Sequence, residues 1–103
     1  MAYMLRFVQR FRIADQDAFL ELERRFAELE RKTPGAARGR RMRPIAGREP
    51  GHTLIWECEF ASLAEVHAAL DGLAGDPEHG RLFALQSPLM QDAYTEIYEI
   101  LDF

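Results

Sequence analysis

Three histidines are the residues of this chain best suited to acid–base chemistry: His52, His67 and His79. His67 lies four residues after Leu63 and three before Leu70, at the border of a predicted apolar helix stripe. A neutral imidazole there could accept a proton from a ligand held between helix and sheet, or it could simply bond to a neighbour. His52 falls at a predicted turn and His79 at a predicted helix start, so we expect both to be solvated. Because this spacing fits no zinc site, the sequence predicts no metal and implies no cofactor.

Two acids and two arginines form a second candidate group. Glu57 and Glu59 lie two residues apart on a predicted strand, so both carboxylates point to one face, which suits general acid–base catalysis. Arg6 and Arg10 likewise share one face of the first predicted strand. If the two strands are neighbours, salt bridges between these residues compete with the catalytic interpretation. We expect the four side chains to form a charge cluster on one face of the sheet.

Four aromatic residues could line a ligand pocket: Trp56, Phe83, Tyr94 and Tyr98. Such a pocket suits a small hydrophobic substrate, particularly an aromatic one, whereas core packing of the same rings is the alternative. We expect a small cavity between sheet and helices, lined by Trp56, His67, Phe83 and one of the two tyrosines. A ligand-sized pocket with a polar group that reaches His67 would favour an enzyme over a packed core.

Five arginines lie between Arg38 and Arg48, and their guanidinium groups could hold phosphates. However, no aromatic residue lies between Phe26 and Trp56 to stack on bases, and the chain carries a net charge of −4. A solvated loop, or one that bridges a dimer, is therefore the favoured interpretation. We expect no nucleic-acid partner.

The elements that position these residues follow from hydrophobic periodicity. Period-two alternation predicts strands over residues 3–13, 53–60 and 94–101, and a short strand is expected near residues 41–46. Pro44 places the second strand at a sheet edge, because proline cannot donate to a ladder. The register of the last strand stays open by one residue, so either Glu96 or Glu99 faces Arg6 and Arg10.

Helix signals fall between the strands. Asp15 is a plausible N-cap, and apolar residues three and four apart continue as far as the stop at Thr33-Pro34-Gly35. Ser62 with Glu65 forms a capping box, and Asp76-Pro77 starts a further helical piece. The order β-α-β-β-α-(α)-β is the split βαβ pattern of a ferredoxin-like α+β fold. Right-handed crossovers then give a four-stranded antiparallel sheet in the order 4-1-3-2, with the helices on one face.

Composition bounds the class of protein. With 103 residues, 48% of them hydrophobic, the chain suits a single domain over residues 1–103. The one cysteine, Cys58, lies in an apolar strand and predicts a reduced, buried thiol. No apolar run approaches the ~20 residues of a membrane span, and the first residues lack a signal peptide's apolar segment. We therefore expect a soluble, cytoplasmic protein with no membrane partner.

Charge is divided unevenly along the chain. Residues 1–51 hold twelve basic and seven acidic residues, a balance of +5, whereas residues 52–103 hold one basic and ten acidic residues, a balance of −9. In the predicted sheet the basic first strand lies between two acidic strands, so the halves neutralise each other. The face away from the helices mixes these charges with apolar residues. Such a face fits burial against a second copy, so we expect a homodimer.

The stretch from Thr53 to Leu70, then Asp76-Pro77-Glu78-His79, and the final Glu96–Leu101 together resemble the dimeric α+β barrel superfamily. The likeness is strongest to its NIPSNAP-like and antibiotic-biosynthesis-monooxygenase-like branches. It implies a homodimer whose two sheets pack face to face into a barrel. Haem-degrading relatives combine an Asn, a Trp and a helical His, but this chain has no Asn, so their mechanism is not expected here.

Two classes of function follow from the resemblance. The first is a cofactor-independent monooxygenase or isomerase that acts on a small hydrophobic substrate. The alternative is a non-catalytic ligand-binding or protein-interaction module of NIPSNAP-like type. RNA binding through Arg38–Arg48 is the least favoured hypothesis.

Overall fold

The computed structural model describes residues 1–103 as four strands and three helices in the predicted order. The elements are β1 (Ala2–Phe11), α1 (Gln16–Lys32), β2 (Arg40–Met42), β3 (Thr53–Phe60), α2 (Leu63–Gly75), α3 (Pro77–Gln86) and β4 (Met90–Ile100). Single 3-10 turns precede α1 and follow α3. None of the helices combines the length and the apolar character that crossing a bilayer requires.

The sheet confirms the predicted topology. Its strands run β2-β3-β1-β4 with every neighbouring pair antiparallel, which is the order 4-1-3-2. Arg6 lies opposite Glu57 on one side and Glu96 on the other, whereas Glu99 lies opposite Tyr3. Because facing residues share a sheet face, Glu96 is the acid of β4 that faces Arg6.

Alternation along the strands divides the side chains between two faces. The helix face, which α1, α2 and α3 cover, carries Leu5, Phe7, Gln9, Arg41, Trp56, Phe60 and Thr95 among others. The open face carries Arg6, Val8, Arg10, Arg40, Ile55, Glu57, Tyr94, Glu96 and Tyr98 among others.

Two apolar clusters hold the helices to the helix face. Their buried members are Leu5, Trp56 and Val66 in one cluster, and Phe11, Phe19 and Leu54 in the other. Burial of each large apolar side chain contributes about 1.5–3 kcal/mol to folding. The clusters anchor α2 and α1 at separate places, which leaves room between the two layers.

The predicted helix starts after β3 are confirmed. Ser62 Oγ accepts a hydrogen bond from the backbone N–H of Glu65 at 3.2 Å, and the Glu65 carboxylate accepts one from Ala61 N–H at 2.9 Å. Asp76 caps α3 by accepting from two backbone N–H groups of its first turn. These caps fix where α2 and α3 begin relative to the sheet.

Element ends differ from the sequence prediction where tertiary contacts decide them. β2 ends at Met42 rather than 46, because Pro44 follows closely and cannot donate to a ladder. β4 begins at Met90 rather than 94, since pairing with β1 extends through residues of weak strand propensity. The Asp15 carboxylate caps no N–H and instead accepts from the Arg12 guanidinium at 3.0 Å.

Candidate functional site

A cavity of about 880 Å³ lies between the helices and the helix face of the sheet. This volume is within the range of small-molecule sites. More than half of the lining residues are hydrophobic, and the apolar wall includes Leu5, Phe7, Phe26, Phe60, Leu73 and Phe83. The cavity therefore offers a mostly apolar surface, partly made of aromatic rings.

Trp56 is the best-fixed aromatic residue of this wall. Its ring stacks on Phe7, with 5.0 Å between ring centroids, and its indole Nε1–H donates to Glu30 at 3.0 Å. On the other side, a Cβ on Gly39 would lie 2.0 Å from the indole Cε2. Residue 39 must therefore be glycine for the indole to keep this position.

Glu23, Glu30, Arg41, His79 and Gln86 form the polar end of the cavity. Arg41 joins the two acids: its Nε donates to Glu23, and its two terminal nitrogens donate to Glu30 at 2.8 and 3.0 Å. Although burial opposes its charge, the hydrogen bonds and charges of the two acids raise the pKa of Arg41. Each of the three charged groups thus has a partner of opposite charge within the cavity wall.

Gln86 continues this network. Its side chain is fully buried, and its Nε2 donates to Glu23 at 2.9 Å and to the Phe19 carbonyl oxygen at 3.5 Å. The chain of contacts from Trp56 through Glu30, Arg41 and Glu23 to Gln86 links β3, α1, β2 and α3. It fixes the shape of the polar end.

His79 is the histidine that reaches the cavity. Its ring lies against Phe26, with 5.0 Å between centroids, and it is half-buried. Burial lowers the pKa of His79, outweighing the charges of Asp76, Glu23 and Glu30, which raise it. At neutral pH the imidazole is therefore uncharged and has one nitrogen able to accept a proton.

The expected positions of two histidines are wrong. His67 is exposed and does not line the cavity, because α2 turns Val66, its neighbour in sequence, toward the sheet instead. His79, expected in solvent, lies in the cavity wall. The polar group that the pocket offers to a ligand is therefore His79 together with the buried network.

The predicted aromatic residues divide between the two faces. Trp56 and Phe83 line the cavity as expected, although Phe83 is 47% exposed at its mouth. Tyr98 does not line it and lies on the open face, where Arg6 covers its ring at 5.4 Å. Tyr94 borders the cavity through its strand, but its hydroxyl donates to Glu49 beside the open face at 2.6 Å.

The predicted charge cluster forms in part on the open face. Arg6 donates to Glu57 at 2.7 Å, as expected from the strand order. Arg10 pairs instead with Glu49 of the β2–β3 loop at 3.2 Å, and Glu59 is exposed without an ion pair. Glu49 thus takes the place expected for Glu59 as a partner in the cluster. Strand alternation cannot predict the position of a loop residue such as Glu49.

The arginine run between residues 38 and 48 is divided among several partners. Arg41 belongs to the polar end of the cavity, while Arg40 lies 3.6 Å from Glu57 on the open face. Arg43 donates to the carbonyl oxygen of Gly51. Alternation along β2 separates Arg40 and Arg41, so the run does not form one continuous basic surface.

The polar end was missed at the sequence level although one signal was present. Glu23 lies between Phe19 and Phe26, at spacings of four and three within the apolar stripe of α1, and Glu30 lies four residues further on. Carboxylates on a buried stripe require a buried cation or donor. That requirement predicts a partner without identifying Arg41. No group of three or more His, Cys, Asp or Glu side chains is arranged to hold a metal ion.

Comparisons with known proteins give matches at the level of structure. No protein-family model matches the sequence, and no curated protein matches it either. A NIPSNAP family protein from Agrobacterium tumefaciens is similar with a TM-score of 0.81 and 20% identity, covering 99% of this chain and 88% of that one. A NIPSNAP-like domain protein from Burkholderia xenovorans has a TM-score of 0.80 and 16% identity, covering 99% and 87% of the two chains.

The second resemblance noted in the sequence also has a structural counterpart. An antibiotic biosynthesis monooxygenase is similar with a TM-score of 0.73 and 18% identity, covering 98% of this chain and 99% of that one. At these identities the likeness concerns the fold. The chain therefore has the ferredoxin-like α+β fold found in NIPSNAP proteins and antibiotic biosynthesis monooxygenases, as its sequence pattern predicted.

Proposed function

We propose that this protein binds a small, flat, hydrophobic molecule in the cavity between the helices and the sheet. The observation that carries this proposal is the combination of an apolar wall with one buried polar end in a volume of about 880 Å³. Small-molecule sites have this composition, because apolar surface supplies affinity and a few fixed polar groups supply orientation. The stacked pair of Phe7 and Trp56 favours an aromatic ligand.

The single tryptophan makes binding directly measurable. The Trp56 indole N–H gives one NMR signal, and this residue lines the cavity. Titration with 2-naphthol should shift the signal until it saturates. Ala69→Phe, which fills the cavity from α2, should weaken binding about tenfold or more. Ala84→Phe, the same change at an exposed position of α3 outside the cavity, should leave binding unchanged.

Two results would contradict the proposed ligand site. A Trp56 signal that does not respond to saturating 2-naphthol, or equal binding by both phenylalanine variants, would rule out a ligand site in this cavity. Circular dichroism of both variants keeps a folding defect from being mistaken for lost binding.

His79 favours a second, catalytic function at the same site. Uncharged at neutral pH and in the cavity wall, it can take the proton of a bound phenol or enol. An isomerase would return that proton at a different atom of the substrate. A cofactor-independent monooxygenase would let the anion react with O₂, so that a phenol and O₂ become a quinone and water. One oxygen atom then enters the ring as a carbonyl, the other leaves as water, and the substrate supplies all the electrons.

Hydrogen–deuterium exchange tests proton abstraction separately from oxygenation. In D₂O without oxygen, the protein should accelerate exchange at the ring carbon between the hydroxyls of 1,3-dihydroxynaphthalene. His79→Gln should remove the acceleration, whereas the matched variant His67→Gln should retain it, because His67 lies outside the cavity. Equal exchange with and without wild-type protein would leave ligand binding as the function and exclude this catalytic step.

We further propose that the open face packs against a second copy of the chain. Tyr94 and Tyr98 are 40% and 43% exposed there, and a basic central strand lies between acidic neighbours. A two-fold axis through such a face sets exposed rings against rings while the charges remain neutralised within each copy. Sedimentation at micromolar concentration should give a dimer. Tyr98→Arg, which adds a like charge beside Arg6, should give a folded monomer, and a monomeric wild type would refute the arrangement.

A further inference from the structure

The charge of the polar end, together with its hydrogen-bond donors and acceptors, restricts which ligands the cavity can bind. Three carboxylates, those of Glu23, Glu30 and Asp76, act on His79, and Arg41 is the one cation among them. With His79 neutral, the polar end carries a net charge of −1, and Asp76 in the adjoining cavity wall adds a further negative charge. An anionic ligand would be both desolvated and repelled there.

Most hydrogen-bond donors of the polar end are engaged within the protein. The indole N–H of Trp56 donates to Glu30, and the amide nitrogen of Gln86 donates to Glu23 and to a backbone carbonyl. Arg41 directs three of its five N–H groups at the two carboxylates. A ligand that could only accept hydrogen bonds therefore has few donors to pair with, namely the two remaining N–H groups of Arg41 and the ring N–H of neutral His79.

Two hydrogen-bond acceptors of the polar end, in contrast, have no partner within the protein. Gln86 is 1% exposed, yet its carboxamide oxygen accepts no hydrogen bond. The ring of His79 makes no hydrogen bond either, and in its neutral form one nitrogen can accept. Both acceptors are free within the protein, so a ligand that brings N–H or O–H groups to this end can pair with them.

We propose that the cavity selects ligands whose apolar, aromatic body carries a hydrogen-bond donor, either a neutral hydroxyl or an ammonium group, and that it rejects carboxylates. This inference rests on the proposed ligand site and adds the chemical class of its occupant. The aromatic body lies against Phe7 and Trp56, and the donor points to the acceptors of Gln86 and His79. A cationic donor gains in addition from the surplus of carboxylates.

Four naphthalene probes of one shape test the selection. They are 2-naphthol, 2-naphthylmethylamine, 2-methoxynaphthalene and 2-naphthoate, each titrated against the Trp56 indole N–H signal at a pH where His79 is neutral. The alcohol and the amine should bind about tenfold or more tightly than the methyl ether and the carboxylate, as expected for the loss of one hydrogen bond or the repulsion of one charge. Comparison of 2-naphthol with the methyl ether measures the effect of the hydrogen-bond donor. Comparison of 2-naphthol with the carboxylate measures the effect of negative charge.

A pair of charge variants locates the selection within the cavity. Glu30→Gln should narrow the difference between 2-naphthoate and 2-naphthol severalfold, because it removes one negative charge from the polar end. Glu59→Gln removes the same charge from the opposite face of the sheet and should leave the difference unchanged. Because the Trp56 N–H donates to residue 30, each variant is titrated against its own ligand-free spectrum.

The possible outcomes separate the two proposals. If none of the four probes binds, the ligand site itself is wrong, and the selection is overturned with it. If the probes bind but the carboxylate or the methyl ether matches the alcohol, the ligand site stands and the selection is overturned. Equal effects of Glu30→Gln and Glu59→Gln would likewise overturn the selection.

Discussion

The two faces of the sheet use the same chemistry, arginine paired with glutamate, in different ways. On the helix face, Arg41 contacts Glu23 and Glu30 with side chains that are 19%, 8% and 16% exposed. On the open face, Arg10 and Glu49 are 36% and 17% exposed and form a single contact. On the helix face one buried arginine therefore joins two acids of α1. On the open face the acid Glu57 instead joins two arginines that are more exposed, Arg6 and Arg40, apart from the pair of Arg10 and Glu49.

The aromatic residues of the two faces also differ in burial, with more deeply buried rings on the helix face and exposed rings on the open face. On the helix face, Phe7 and Trp56 hold each other in place around a cavity. On the open face, the tyrosine rings of β4 remain exposed to solvent. This difference is consistent with the two proposals, a small ligand at the helix face and a second copy at the open face. Four changes test this comparison.

Breaking the buried network should give the largest effect. Arg41→Ala leaves Glu23 and Glu30 without their cation, and loss of one partner of a buried pair costs about 3–5 kcal/mol in free energy of unfolding. The matched change Arg24→Ala breaks an exposed pair with Glu21 and should cost less than about 1 kcal/mol. Urea unfolding monitored by circular dichroism measures both. Equal losses would contradict the distinction between buried and exposed charge.

Crowding the tryptophan should give the next largest effect. Gly39→Ala places a Cβ 2.0 Å from the Trp56 ring, so the indole must move, at a cost of about 1–3 kcal/mol. The control Gly80→Ala adds a Cβ that contacts nothing within 4 Å and lies inside α3, so it should stabilise the fold by about 0.5–1 kcal/mol. Changes of the same sign in both variants would contradict the close contact at residue 39.

Acid should act on the helix face through His79. Burial lowers the pKa of His79 from its ordinary 6.5, so the folded state binds this proton less readily than the unfolded chain. Its contribution is therefore present above about pH 6.5 and is lost as the pH falls through the lowered value. His79→Gln and His79→Phe should both lose less stability than wild type between about pH 7 and pH 5. A steeper loss of stability in the variants than in wild type would contradict the lowered pKa of His79.

The smallest effect should come from the exposed contact beside the open face. The hydrogen bond and the charge of Glu49 raise the pKa of Tyr94 to about 12 from 10.0. Since the folded state keeps this proton longer, the associated stability is present below about pH 10 and is lost as the pH rises toward 12. Glu49→Gln should bring the titration of Tyr94 back toward 10, measured by ultraviolet absorbance. Glu59→Gln, on the same face without this contact, should not change it.

The fold could be predicted from the sequence because its signals are local and mutually consistent. Alternation in β1 and β3, the Ser62–Glu65 cap and the Asp76-Pro77 start each specify an element within a few residues. Chain topology then leaves few ways to arrange four strands. The register of β4 could not be predicted, since it is set by pairing with β1, which is distant in sequence.

The candidate site could be predicted only in part, because it depends on partners distant in sequence. Trp56 follows from its place on an apolar strand, whereas Arg41 is buried only because Glu23 and Glu30 of α1 lie above it. The exchange of roles between His67 and His79 has a similar cause. The rotation of α2 and α3 about their axes is set by packing against β1, β3 and α1, which periodicity alone leaves undetermined.

The strand order also determines when the sheet can form during synthesis. β1 has β3 and β4 as its two neighbours, and both come from the second half of the chain. Before residues 52–103 are made, β1 has no partner strand, and the segment of residues 1–51 carries a charge of +5. Self-repulsion opposes its collapse until the acidic residues of β3 and β4 arrive. The division of charge along the chain thus disfavours compaction of the first half before its partner strands are made.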